Sequence, residues 1–63
     1  MTVIFPLRDK KSWDSIYINE LVVEKVVVLK DILDGYYYGI ENHDEFLYVN
    51  KKDLIGPPVI VTE

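Results

Sequence analysis

Short apolar runs separated by polar or turn-forming residues dominate this sequence, a pattern typical of a chain built from β-strands. Residues 2–5 form a first run that ends at Pro6, and residues 16–18 are β-branched or aromatic. Residues 59–62 form a last run after a Gly-Pro-Pro break. The polar stretch of residues 8–15, between the first two runs, predicts a loop.

A β-hairpin is predicted in the second half of the chain. Residues 36–41 and 46–50 are rich in aromatic and β-prone side chains, and they flank four polar residues at 42–45. Two such runs around a short polar connection are the usual signature of a hairpin. Asp34-Gly35 marks a turn just before the first run, and residues 51–55 are short enough for a single helical turn.

The segment of residues 20–34 fits two structures. As a helix, it has Asn19 as a possible N-cap, Gly35 as a stop, and apolar residues at helical spacing. As a strand, it has five valines among the seven positions 22–28, and β-branched side chains favour a sheet over a helix. Periodicity alone leaves both interpretations open.

A short motif downstream favours the strand. Residues 34–39 read Asp-Gly-Tyr-Tyr-Tyr-Gly, and this pattern resembles the Asp-Gly, two aromatics, any residue, Gly motif of Src-homology-3 domains and of bacterial domains of that shape. The layout that follows, a hairpin, a strand, a 3₁₀ turn and a last strand, is similar to residues 42–62. The resemblance covers residues 21–54, with tyrosines in place of the usual tryptophans.

The resemblance implies a single small five-stranded Src-homology-3-like barrel, all-β, with residues 8–20 as the long loop after the first strand. Residues 22–29 are then extended. The alternative is an α+β domain with a helix at 19–34 on a small antiparallel sheet. Of the family's ligand groove, Tyr36 matches the first aromatic, whereas Val49 and Asp53 replace a proline and a tyrosine. The resemblance therefore implies a shape rather than a proline-rich ligand.

Composition bounds how such a domain is stabilised. The chain has 63 residues, which corresponds to one domain, residues 1–63, and it has no cysteine and one histidine. Disulfides and thiolate metal sites are excluded, so packing or self-association must stabilise the fold. Hydrophobic residues make up 49% of the chain, enough for a core. The predicted core residues are Ile4, Val26, Val28, Ile40, Leu47, Val49 and Ile60.

Charge and candidate chemistry narrow the function further. The net charge of −4 argues against nucleic-acid binding, although aromatics near the basic pairs at 10–11 and 51–52 keep it as an alternative. His43 has no catalytic partner at a useful spacing, and no base is placed to activate Ser12 or Ser15. No enzyme activity, cofactor or metal site is predicted. The sequence shows no apolar stretch of membrane-spanning length and no signal peptide, so a cytoplasmic location is expected.

The function that remains is protein binding. We expect a small non-enzymatic interaction module, similar in type to accessory or inhibitor proteins of bacteria or phages, that binds a protein partner through an aromatic face. Trp13, Tyr36 and Tyr48 are the predicted partner-binding residues. The alternatives are a structural homo-oligomer subunit and a small-barrel nucleic-acid binder.

Overall fold

The computed structural model describes the backbone of residues 1–13 and 16–61, and the side chains of residues 1–9 and 18–61. These residues form two three-stranded antiparallel sheets, in the orders β2-β1-β6 and β3-β4-β5. The predicted all-β class is confirmed at this level. In the described part of the chain, no helix has the length and hydropathy needed to cross a bilayer. The elements are β1 (Thr2–Trp13), β2 (Ile16–Val23), β3 (Val26–Asp31), β4 (Gly35–Ile40), β5 (Leu47–Asn50), the 3₁₀ turn η1 (Lys51–Asp53) and β6 (Val59–Val61).

The ambiguous segment of residues 20–34 is extended, so the helical alternative at 19–34 is wrong. The valine-rich stretch is split between the end of β2 and the start of β3, with Glu24 and Lys25 between them. Lys25 has a positive φ of 60°, and its carbonyl accepts a hydrogen bond of 2.9 Å from the amide of Glu41. The chain turns a corner at this point and passes from the first sheet into the second.

The predicted loop at residues 8–20 is also corrected. β1 runs through Pro6 to Trp13 and pairs with β2, which gives six strands rather than five among the residues that the structure describes. The pairing is regular from Val3 to Pro6 and again from Lys11 to Trp13, with a register shift between. Pro6 has no N–H to give to a ladder, and it stands where the regular pairing breaks. The polar side chains of this stretch did not prevent a strand, because ladder hydrogen bonds join backbone groups.

Phe5 stands at the centre of the core that joins the two sheets. Its side chain is fully buried, and its ring centroid lies 6.1 Å from that of Tyr36 and 5.4 Å from that of Tyr38. Phe5 comes from β1 and the two tyrosines from β4, so this aromatic cluster links one sheet to the other. The buried apolar cluster consists of Val3, Phe5, Val23, Val26, Tyr36, Tyr38, Val49 and Leu54.

Backbone hydrogen bonds tie the sheets together on two sides. Near the β2–β3 corner, Met1 and Val26 exchange two bonds of 2.9 and 3.0 Å between main-chain groups. Beyond η1, Leu54 forms an isolated bridge with Leu7, and the amide of Ile55 donates to the carbonyl of Pro6 at 3.0 Å. The chain thus changes sheet at each corner without leaving these backbone groups unpaired.

The predicted core is partly confirmed. Val26 and Val49 are buried, whereas Ile4, Val28 and Ile40 are half-buried. The predictions for Leu47 and Ile60 are wrong, since these side chains are 37% and 52% exposed. Both residues stand opposite buried partners, Tyr38 and Val3 respectively, and so face inward. Both lie on the outermost strands of their sheets, where a side chain has a strand neighbour on one side only, and Leu47 is also the first residue of β5, whereas Val49 further along β5 is buried.

We expect Val49→Ala to lower the free energy of unfolding by about 1–3 kcal/mol, from lost burial and the cavity that remains. Val49 is 8% exposed, whereas Val59 is 55% exposed and provides a matched control. Chemical denaturation of both variants measures the difference. Equal losses for Val49→Ala and Val59→Ala would show that Val49 is not a core residue.

Gly35→Ala should also be destabilising, because of space rather than backbone conformation. None of the described glycines has a positive φ, and a Cβ at Gly35 would clash with the carbonyl oxygen of Val49 and with the Tyr48 ring. Overpacking of this kind costs about 1–3 kcal/mol. Gly56→Ala is the control, since its Cβ would meet nothing within 4 Å. A Gly35→Ala midpoint in denaturant that equals the Gly56→Ala midpoint would contradict this packing.

Candidate functional site

The outer face of the β3-β4-β5 sheet carries exposed aromatic rings. Side chains alternate along β4, so Tyr36 and Tyr38 point into the core while Tyr37 points outward and is 41% exposed. On β5, Tyr48 also points outward and is 40% exposed. Tyr37 and Tyr48 are directly opposite each other in the ladder, and their ring centroids lie 5.0 Å apart with the planes tilted by 50°. The two rings form a cross-strand pair.

Phe46 extends this aromatic surface. Its side chain is 57% exposed, and its ring lies over Gly39 of β4. A Cβ at Gly39 would come within 3.3 Å of the Phe46 ring and 3.0 Å of Val28, so the glycine provides the space in which the ring lies. Phe46 therefore packs on the sheet while still presenting more than half of its surface.

Three clefts run in sequence along this outer face, and together we name them the aromatic groove. The first, of about 320 Å³, is bordered by Phe46 and by the β4–β5 connection. The second, of about 240 Å³, lies between Lys30, Tyr37 and Phe46. The third, of about 340 Å³, lies beyond Tyr48 next to η1. Phe46 borders the first two clefts, and the contact between Tyr37 and Tyr48 joins the second to the third.

The two ends of the aromatic groove differ in composition, since one is acidic and the other combines lysines with Asp34. At the acidic end, the first cleft is lined by His43, Asp44 and Glu45. At the lysine end, the third cleft is lined by Lys51 and Lys52 together with Asp34, whereas Lys30 borders the central cleft directly opposite Tyr37. Lys30, Lys52, Asp44 and Glu45 are all exposed.

Lys51 is held by two neighbours at the lysine end. Its Nζ lies 2.7 Å from an Asp31 carboxylate oxygen and 5.2 Å from the centre of the Tyr36 ring. The hydrogen bond to Asp31 raises the pKa of Lys51 above its ordinary value. The amine is exposed, so this ion pair is worth little in stability, and its effect is to fix the side chain beside Tyr36.

Two of the predicted partner-binding residues, Tyr36 and Tyr48, lie on opposite faces of their sheet. Tyr48 belongs to the aromatic groove. Tyr36 faces the core and is 8% exposed, so little of its ring is available to a partner. Its edge borders a separate cleft of about 230 Å³ with Lys51, Leu54 and Ile55. The side chain of Trp13 lies outside the described residues.

Tyr37, Phe46 and Lys30 are the groove residues that sequence reasoning missed. A usable signal was present in the pair Tyr48-Val49. Once Val49 is assigned to the core, the alternation of β5 puts Tyr48 and Phe46 on the outer face. Tyr37 then follows if the hairpin sets it opposite Tyr48.

The described residues contain no group of three or more His, Cys, Asp or Glu side chains placed to hold a metal ion. Comparison of the chain with protein-family models, with characterised proteins and with solved structures found no match. The geometry of the chain itself therefore carries the functional argument.

The burial of Tyr38 makes the stability of the fold sensitive to alkaline pH. Burial raises the pKa of Tyr38 above its ordinary value of 10.0, since the interior disfavours the phenolate. The folded protein thus holds this proton more tightly than the unfolded chain. The stability contributed is complete below pH 10 and is lost as the pH rises through the folded-state pKa.

We expect the melting temperature of the protein to fall above about pH 10, and Tyr38→Phe to reduce that fall because phenylalanine has no ionisable hydroxyl. Thermal unfolding from pH 8 to 11.5 measures both. Tyr38→Phe melting with the same alkaline slope as the parent protein would show that Tyr38 is not the responsible group.

Proposed function

We propose that this protein is a non-enzymatic protein-interaction module whose partner docks on the aromatic groove. One observation supports this above the others. Tyr37, Phe46 and Tyr48, each 40–57% exposed, lie next to one another on the sheet face opposite the core. Exposed apolar side chains that form one contiguous patch mark interaction sites, whereas single exposed apolar residues are common on any surface. Aromatic side chains also contribute most of the binding energy at many interfaces.

The rings are suited to binding because the fold already holds them. Tyr37 is supported by Tyr48, and Phe46 is supported by Gly39 and Val28. A ring with two side-chain torsions that is already packed loses little conformational freedom when a partner covers it. The tyrosine hydroxyls add hydrogen-bonding capacity at the border of the apolar surface.

The finer fold assignment, a Src-homology-3-like barrel, is part of this proposal. It is supported by the order of the elements, by the corner between β2 and β3, and by the 3₁₀ turn between β5 and β6. The cleft at Tyr36 corresponds to the ligand groove of the resembled family, but Tyr36 is only 8% exposed, and Val49 and Asp53 replace the proline and tyrosine of that groove. We therefore assign the main contact to the aromatic groove and keep Tyr36 as a second test position.

The proposal extends to the kind of protein. A small acidic domain of this design corresponds to an accessory or inhibitor protein of bacterial or phage type, acting in the cytoplasm. A chain without cysteine is compatible with that compartment. This part of the proposal is an analogy of type, carried by size and composition rather than by the groove.

Nucleic-acid binding is the second candidate, favoured by one observation. Exposed rings on a sheet beside Lys30, Lys51 and Lys52 could stack on bases while the amines contact phosphates. Asp44 and Glu45 at the opposite end of the groove oppose a polyanion. Filter binding of single-stranded DNA and RNA at low salt, which is the most favourable condition, tests this candidate.

Affinity capture tests the protein-binding proposal. We expect the double variant Tyr37→Ser/Phe46→Ser to lose at least about tenfold of the partner recovery shown by the parent protein, the effect of removing a central anchor. Val22→Ser is the control, because Val22 is 53% exposed but lies on the other sheet. Tyr36→Phe is included to test the separate cleft with little change of volume.

Circular dichroism and thermal melting confirm that each variant is folded before capture. Partners that bind the double variant and the parent protein equally would overturn the assignment of the groove. If only Tyr36→Phe reduced partner recovery, the contact would be assigned to the cleft beside Lys51 instead.

A further inference from the structure

We propose that the protein holds its partner by β-strand addition, with an extended, uncharged segment of the partner pairing along the free edge of β5. This inference rests on the proposed function, because it names the way in which the interaction module would bind a protein. The main chain of β5 defines the occupant. Its outward N–H and C=O groups are matched best by the backbone of another extended segment.

One hydrogen bond fixes the direction of the main-chain groups at the end of β5. The amide of Lys51 donates to the carbonyl of Asp34 at 2.9 Å, and the neighbours of these two residues, Gly35 and Asn50, are partners in the ladder. Partners enclosed by such a bond in an antiparallel ladder do not bond to each other. The N–H of Asn50 therefore points away from β4.

The same alternation applies to the rest of β5. Leu47 and Val49 direct their N–H and C=O groups to β4, and Tyr48 directs both of its groups to the opposite side. Among the residues that the structure describes, no strand pairs with that side of β5. The N–H of Asn50 and both main-chain groups of Tyr48 thus form the edge with which an added strand would pair.

The four outermost strands of the described sheets differ in how their edges are protected against such pairing. β2 carries the exposed Glu20 and has a register shift in its ladder, and β3 carries the exposed Lys30 and Asp31 and also has a register shift. β6 has three residues and follows Pro57-Pro58. Charges, irregular pairing and proline commonly protect sheet edges. β5 has no charge and no proline, and its ladder with β4 is regular.

Apolar side chains flank the free edge of β5 on both faces of the sheet. Tyr48 lies on the outer face and is 40% exposed, and Leu47 faces inward and is 37% exposed. An added residue opposite Tyr48 places its side chain on the outer face beside that ring, and its two neighbours point inward. The third cleft, which Tyr48 and Asn50 line, provides space on this part of the sheet. The segment that fits therefore carries uncharged, apolar or β-branched residues at consecutive positions.

Peptides selected from a random dodecapeptide library displayed on phage, with the protein immobilised, provide the probe. We expect them to be rich in β-branched and aromatic residues. Hydrogen exchange followed by NMR should show that the amides of Tyr48 and Asn50 exchange quickly in the free protein and become protected in the complex with the tightest-binding peptide. Docking of the peptide on the rings alone would leave both exchange rates unchanged.

Asn50→Pro removes one outward N–H and is compatible with the fold. The φ of Asn50 is −80°, close to that of proline, and its N–H does not bond to β4. Asn50→Ala is the matched control, because it keeps the N–H while both variants lose the hydrogen bond from the amide of Lys52 to the Asn50 side chain. We expect Asn50→Pro to weaken peptide binding at least about tenfold, and Asn50→Ala less than about twofold.

A chemically synthesised chain with an N-methyl group on the Tyr48 amide tests the second outward N–H while keeping the ring. It should also weaken binding at least about tenfold. Circular dichroism and thermal melting check that each variant is folded, and the N-methyl chain decides the question if Asn50→Pro does not fold. A library without binders overturns the inference. So do unchanged exchange rates at Tyr48 and Asn50, or equal binding by the parent protein and the N-methyl chain.

The outcome for the proposed function is separate. Peptide binding that is lost with Tyr37→Ser/Phe46→Ser but kept with Asn50→Pro retains the aromatic groove as the contact and removes strand addition. Binding that is lost with Asn50→Pro but kept with the two ring substitutions retains strand addition and removes the aromatic groove as the main contact.

Discussion

The contact of Phe5 with Tyr36 and Tyr38 is the interaction on which the rest of the molecule depends. It joins a ring from β1 to two rings from β4, and these strands belong to different sheets. A 63-residue chain without disulfides has a small interior, so a few large side chains must fill it. Because β4 turns Tyr36 and Tyr38 inward to meet Phe5, it must turn Tyr37 outward. The surface we assign to binding is thus a geometric consequence of how the core is filled.

The elements that were predictable are those with local signals. Two aromatic runs around polar residues predict the hairpin of β4 and β5. The short segment between β5 and the Gly-Pro-Pro break predicts the single turn η1. The continuation of β1 past Pro6 was not predictable in this way. Its polar residues match a loop in composition, and the strand exists because β2 pairs with it. The exposure of Leu47 and Ile60 was also not predictable from the sequence. Alternation indicates which way a side chain faces, but not which strand lies at the edge of its sheet.

The candidate site, too, was predictable only in part from the sequence. Alternation along the chain separates Tyr36 from Tyr37, but it does not say which of the two is buried. That choice is made by Phe5, which is 31 residues before Tyr36 in sequence, and by the pairing of Tyr36 with Val49 across the hairpin. Tyr48 was assigned correctly to the surface because its neighbour Val49 was assigned correctly to the core. The charged ends of the groove came from turn residues whose relative positions only the folded sheet defines.

Gly35 and Gly39 differ in how readily another residue could replace them during evolution. Gly35 is confined chiefly by a main-chain oxygen, which no substitution at another position can remove. Gly39 is confined by the side chains of Val28 and Phe46, which could shrink to admit a methyl group. Among diverging descendants of this sequence, position 35 should stay glycine throughout. Position 39 should tolerate substitution when position 28 or 46 changes to a smaller side chain. Substitutions at position 39 and at the Phe46 ring above it should therefore occur together.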